Sequence, residues 1–241
     1  MPLTYRGLPI KTLAPTSPVR YLGLWGTACG DVTETKRRIL EKTKNARDMI
    51  EHHPLMPEQA IELFVSVGVG AFRYSAALVP WTAAELRELE KVWVQAYKRA
   101  WLLPLSTASD IFTLSQEAGG LGYPRPLAIM AQELCRHLQR SIKHDDVAKQ
   151  IVEWDREQTL ETWACASLRD LQQEMGLWKW DQALGTKWSR VAKCMQLLDM
   201  EINWDQEDAE RDERGGISWA EATRELRRLR YRIEAMGGSR S

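Results

Sequence analysis

The chain has 241 residues, with 33 Lys and Arg against 33 Asp and Glu, 44% hydrophobic and 27% charged side chains. That is enough apolar chain for a packed core, which excludes wholesale disorder. No apolar run approaches the roughly 20 residues that cross a bilayer, and Met1–Lys11 has no signal-peptide pattern. The expectation is an intracellular protein, nuclear or cytoplasmic, neither secreted nor membrane-bound.

Charge is spread unevenly. Residues 1–150 hold 19 Lys and Arg against 15 Asp and Glu, and residues 151–241 hold 14 against 18. A dedicated nucleic-acid binder shows a stronger excess, so any such role must rest on a local patch. Cys29, Cys135, Cys165 and Cys194 are widely spaced and form no C-x-x-C pair. They read as ordinary thiols, and no metal or other cofactor is expected.

From Met1 to Gly30, Pro2, Pro9, Pro15 and Pro18 exclude a helix. Val19–Trp25 has strand content, and a hairpin is expected between Leu8–Leu13 and Val19–Trp25 across Ala14–Ser17. Asp31 and Glu34 read as a capping pair for a helix over 31–53. Its buried face is Val32, Ile39, Thr43, Ala46 and Ile50. Pro57 suits the first turn of the next helix, which is apolar nearly all round from Ile61 to Val79 despite Gly68 and Gly70. Thr82 and Glu85 form a second capping box ahead of Leu86, Leu89, Trp93, Ala96, Tyr97 and Ala100, and Pro104 stops that helix. A short helix is expected over Ser109–Ala118, then a Gly119–Gly122 reversal, then a helix through Leu127, Met130, Leu134 and Leu138. Beyond Lys143 lie seven of the eleven tryptophans. Helical segments are expected at 145–175, 186–201 and 218–236, with a charged linker at 205–216. The fold class is mainly α: a short N-terminal β-hairpin (1–30), a helical bundle (31–143) and a looser, Trp-rich helical C-terminal extension (144–241).

No catalytic signature is visible. There is no phosphate-cradling Gly-rich loop, no G-x-S-x-G elbow and no H-E-x-x-H. Asp145-Asp146 sits at a helix boundary without flanking strands and reads as a helix N-cap, not a metal site. The informative stretch is Val19–Lys44, a strand turn followed by an amphipathic helix whose apolar face is flanked by Lys36, Arg37, Lys44 and Arg47. A turn that meets a sugar–phosphate backbone and a helix with a basic flank suit a duplex-holding surface. A solvated helix edge explains the same charges. The Trp93/Tyr97/Trp101 series could stack bases, but Leu86 and Leu89 on the same face favour a core. Arg224, Arg227, Arg228, Arg230 and Arg232 read as partners of the acidic linker.

Tyr21-Leu22-Gly23 after a Pro-containing hairpin resembles the end of the palm in reverse transcriptases of non-long-terminal-repeat retrotransposons. The order continues with the basic helix, with Arg73-Tyr74-Ser75-Ala76-Ala77-Leu78-Val79-Pro80, with Tyr97-Lys98-Arg99, and with Gly119-Gly120-Leu121-Gly122-Tyr123-Pro124. The resemblance covers roughly residues 5–140 and implies a primer grip followed by a thumb. It places Tyr21, Leu22 and Gly23 near a nucleic-acid backbone. It also implies an RNA–DNA or DNA duplex as partner and a fingers–palm polypeptide upstream. The aspartate pair of the family's palm is missing, so no polymerase activity is expected of this chain alone. The alternative is a helical interaction or scaffold protein with no nucleic-acid role.

Overall fold

The computed structural model describes residues 4–5, 8–9, 14–21, 23–114, 116, 119–144, 146–198, 200, 202–203 and 217–218. Leu22, Asp145, Trp204, the linker at 205–216 and, of the helix expected over 218–236, residues 219–236 with Trp219 and its arginines lie outside the described residues; Ser218 is in a strand.

The protein is mainly helical behind short N-terminal hairpins. Strands β1 (Thr4–Tyr5) and β2 (Leu8–Pro9) pair antiparallel, as do β3 (Val19–Tyr21) and β4 (Leu24–Gly26). The expected pairing of Leu8–Leu13 with Val19–Trp25 is therefore corrected. Gly23, at φ +89°, allows a two-residue reversal between Tyr21 and Leu24. A local closure costs less chain entropy than the longer pairing.

Helix α1 (Thr33–His52) buries Thr35, Ile39, Thr43, Ala46 and Ile50, close to the face expected from spacing. Its cap differs from the expected one. Asp31 Oδ1 accepts the Thr33 N–H (2.8 Å) and hydroxyl (2.6 Å), so Asp31 closes a turn just before the helix and Val32 takes the N-cap position. Helix α2 (Pro57–Phe64) runs through a π-helical turn (Val65–Val69) into α3 (Gly70–Ala76). Gly68 is needed there, since a Cβ would stand 3.0 Å from the Phe64 ring. Helix α4 (Ala83–Ala100) starts with the expected Thr82/Glu85 capping box.

The partners that join α1 to α4 rise in number together, Lys36 with Glu85 and Arg99 with Glu51, so these two helices run in the same direction. Phe64 of α2 and Phe72 of α3 join Trp81 and the α4 residues Trp93 and Tyr97 in a chain of aromatic contacts, Trp81–Phe72–Trp93–Phe64–Tyr97, with centroid separations of 5.2–6.3 Å. Trp93 and Tyr97 are fully buried, so they serve as core and not as base-stacking platforms. The short α5 (Asp110–Thr113) is strapped by the glycine loop: Leu121 and Tyr123 N–H donate to the Ile111 and Phe112 carbonyls at 2.8 and 2.7 Å. Gly120 lies flush on Leu114, where a Cβ would meet backbone at 2.4 Å. Gly119 and Gly122 take positive φ, which gives the reversal expected there.

Helix α6 (Pro126–His144) leads into α7 (Asp146–Thr162), α8 (Leu168–Glu174), a 3₁₀ turn (Trp180–Leu184) and α9 (Lys187–Leu197). Strands β5 (Ile202–Asn203) and β6 (Ile217–Ser218) pair in parallel. Residues 152–195 contribute Leu171, Trp180, Trp188, Val191 and Met195 to the same core as Phe64 and Trp93. The looseness expected beyond 144 does not hold for this described part. Trp180 Nε1 donates to the Trp81 carbonyl (2.7 Å), and Asp181 Oδ1 accepts the Ala83 N–H (2.8 Å) at the start of α4. The helix expected over 145–175 breaks because Ala164 turns left-handed (φ +51°). Its N–H and that of Cys165 close back on the Glu161 and Leu160 carbonyls.

Candidate nucleic-acid interface

The hairpin β3–β4 is fixed to α1 by one side chain. The Trp25 N–H donates to Thr35 Oγ1 (2.5 Å), and the Thr35 hydroxyl donates to the Trp25 carbonyl (2.7 Å). Thr35 is buried, so these bonds have no ready replacement from water. The Arg38 guanidinium covers the Trp25 ring at 4.0 Å from its centroid, a cation–π contact that adds to the clamp. At the turn, a Cβ on Gly23 would lie 3.3 Å from Tyr74 Cε1, so the hairpin tip rests against the Tyr74 ring. Tyr21 next to it is 75% exposed.

The four basic residues expected to grip a duplex sit in other company. Lys36 pairs with Glu85 (2.8 Å) and Lys44 with Glu88 (3.0 Å), while Arg47 donates to Gln95 Oε1 (2.9 Å) and pairs with Asp48. Arg99 completes this seam by pairing with Asp48 (3.0 Å) and Glu51 (2.8 Å). Arg37 bonds Glu34 and Glu41 on its own helix. The seam shows in the carboxylates. Burial raises the Glu85 pKa, but the Lys36 and Thr82 hydrogen bonds outweigh it and hold the group below its ordinary range. Asp48 behaves alike, with Arg47 and Arg99 overcoming burial.

The opposite flank of α1 is different. At about 100° per residue, Arg38 and Lys42 lie across the buried stripe from Lys36, Lys44 and Arg47. Together with Arg20, Trp25, Ser66, Gly70 and Tyr74 they line a groove of about 560 Å³ between hairpin, α1 and the π turn. Among the described residues no carboxylate lines it. Arg38 also reaches Glu34 (2.5 Å), whose two arginine bonds bring its pKa down to about 2. Arg20, Arg38 and Lys42 are all exposed. Gly23 thus lines a basic groove with Tyr21 next to it in the hairpin, but the cations of that groove are not the four singled out from sequence. Arg38 and Lys42, a like-charged pair four apart on α1, were the available signal for this flank.

No group of three or more His, Cys, Asp or Glu side chains among the described residues could hold a metal ion. Cys135 and Cys194 are buried free thiols, and burial pushes the Cys135 pKa up to about 12. No helix among the described residues is long and apolar enough to cross a membrane. No family model, curated protein or solved structure matches the chain.

Proposed function

We propose that this protein binds a nucleic-acid duplex through its backbone phosphates, and that it descends from the primer-grip and thumb part of a retrotransposon reverse transcriptase without polymerase activity of its own. The supporting observation is the hairpin groove, where Arg20, Arg38 and Lys42 face solvent beside Tyr21, Gly23 and Tyr74 without a lining carboxylate. Guanidinium groups take phosphate oxygens in pairs and aromatic rings take sugars or bases, so this mixture suits a sugar–phosphate backbone. In this reading Arg37 and Lys44, half-exposed on the other flank of α1, add at most long-range attraction. A fingers–palm polypeptide acting in trans is the partner that the ancestry implies.

The experiment is fluorescence anisotropy of a labelled RNA–DNA hybrid titrated with the full chain at two salt concentrations. Binding in the micromolar range that weakens steeply with salt is the expected result. Absence of binding at low salt would overturn the reading. It would leave the alternative, a helical interaction protein, which is favoured by one observation. Ile151 and Trp154 on α7 are 60% and 61% exposed, an apolar stripe suited to a protein partner.

A further inference from the structure

A second groove lies around the corner of α3, between that helix and α6. It encloses about 530 Å³ and is lined by Arg73, Tyr74, Glu133, Arg136, His137 and Arg140, with Gly70 at its edge. Gly70 and Tyr74 also line the hairpin groove, so the two grooves meet at the Tyr74 ring, which is 51% exposed. Among the described residues Glu133 is the one carboxylate lining the second groove, and it is shared by Arg136 (2.8 Å) and Arg73 (3.3 Å). Arg140 is exposed. Behind His137 stand Lys187 and Arg190, which together with burial and Arg140 hold the imidazole pKa below its ordinary value. Asp155 bears on Lys187 and Arg190 in turn. Among the described residues, the three guanidinium groups of Arg73, Arg136 and Arg140 line this groove against the carboxylate of Glu133.

We propose that the α3–α6 groove is a second sugar–phosphate site, and that one strand of the bound nucleic acid passes from the hairpin groove over Tyr74 onto Arg136 and Arg140. The proposal rests on the nucleic-acid reading above and gives it a path. An acidic polypeptide would answer the charge alone. The alternation of guanidinium groups, an exposed ring and further guanidinium groups matches a chain that carries phosphates and rings at regular intervals. The π turn supports the path, because its wide backbone and Gly70 set Tyr74 at the junction without a side chain in the way.

The test compares the full wild-type chain with R136Q/R140Q on the same labelled hybrid across a salt series. Glu133 keeps Arg73 when Arg136 is removed, so the variant retains a partner for its carboxylate. The expected result is a loss of affinity of about tenfold and a salt slope smaller by about 1–2. Wild-type binding with an unchanged variant would overturn the second site and leave the hairpin groove standing. Failure of the wild type to bind would overturn the underlying reading itself. A second pair keeps the path testable should the double variant misfold: Tyr74→Phe should keep binding, and Tyr74→Ala should lose it. Equal binding by both would remove Tyr74 from the path. Displacement of the hybrid by polyglutamate at equal charge concentration would show a general anion surface and overturn the nucleic-acid assignment.

Discussion

The α1–α4 seam and the face around Tyr74 are both rich in cations and differ in what those cations meet. In the seam, Lys36, Lys44, Arg47 and Arg99 meet Glu85, Glu88, Asp48 and Glu51. Around Tyr74, Arg38 pairs with Glu34, and Arg73 and Arg136 share Glu133, while Arg20, Lys42 and Arg140 line the two grooves. A basic flank on one helix is thus no measure of a binding surface until its partners on other helices are counted. The seam orients two parallel helices, and the Tyr74 face has more basic than acidic lining side chains among the described residues.

The sharpest way to break this contrast is to neutralise each region in turn. R20Q/R38Q/K42Q should lose at least tenfold in affinity for the hybrid, given ~1.5 kcal/mol or more for one charge-assisted hydrogen bond. K36Q/K44Q/R47Q should change affinity less than about threefold, since those groups are already paired. Equal losses in the two variants would erase the distinction. Next in size is Thr35→Val, which keeps the shape and removes both hydrogen bonds to Trp25. A cost of about 1–3 kcal/mol in urea unfolding is expected, with faster hydrogen exchange over Leu24–Gly26. Because the hairpin carries Arg20, binding should weaken as well. Smaller again is the seam itself. A double-mutant cycle on Lys36 and Glu85 should give a coupling of about 0.5–1 kcal/mol, with no matching effect on nucleic-acid affinity.

What could be read from sequence follows the range of the forces involved. The α1 face Ile39, Thr43, Ala46 and Ile50 and the Thr82/Glu85 box are set by residues within a few positions, and both are present in the structure. The seam pairs stand 44–51 residues apart, so periodicity on α1 could not show which flank α4 would cover. The hairpin pairing was hidden for a different reason. Pro15 and Pro18 suggested the turn, while the decisive residue was Gly23 with its positive φ. The break after α7 had no glycine to announce it, because Ala164 takes the left-handed position that glycine usually fills. Of the candidate site, the turn carrying Tyr21 and Gly23 stood out in the sequence. The groove did not, since it needs the hairpin, α1 and the π turn brought together in space.

His137 offers the finest separation of the two regions, through pH. Its pKa lies below the ordinary value of 6.5 because burial disfavours the imidazolium, and Lys187, Arg190 and Arg140 add to that effect. At pH above about 6.5 the ring is neutral in folded and unfolded chains alike, so stability is complete with respect to this group. As pH falls below that value the unfolded chain takes up the proton first, and stability declines towards the lower folded pKa. Glu85 and Asp48 in the seam act in another window. Their depressed values keep the seam intact until pH falls below the ordinary carboxylate range. Asp155 has the opposite sign, since burial raises its pKa and protonation relieves the fold. A urea midpoint that drops between about pH 7.5 and about pH 5.5 is therefore a signature of the Tyr74 face and not of the seam. His137→Gln should flatten that drop and leave the acid-side loss of the seam unchanged. A drop that persists in the variant would assign it to groups elsewhere and remove the cationic crowding around the second groove as its cause.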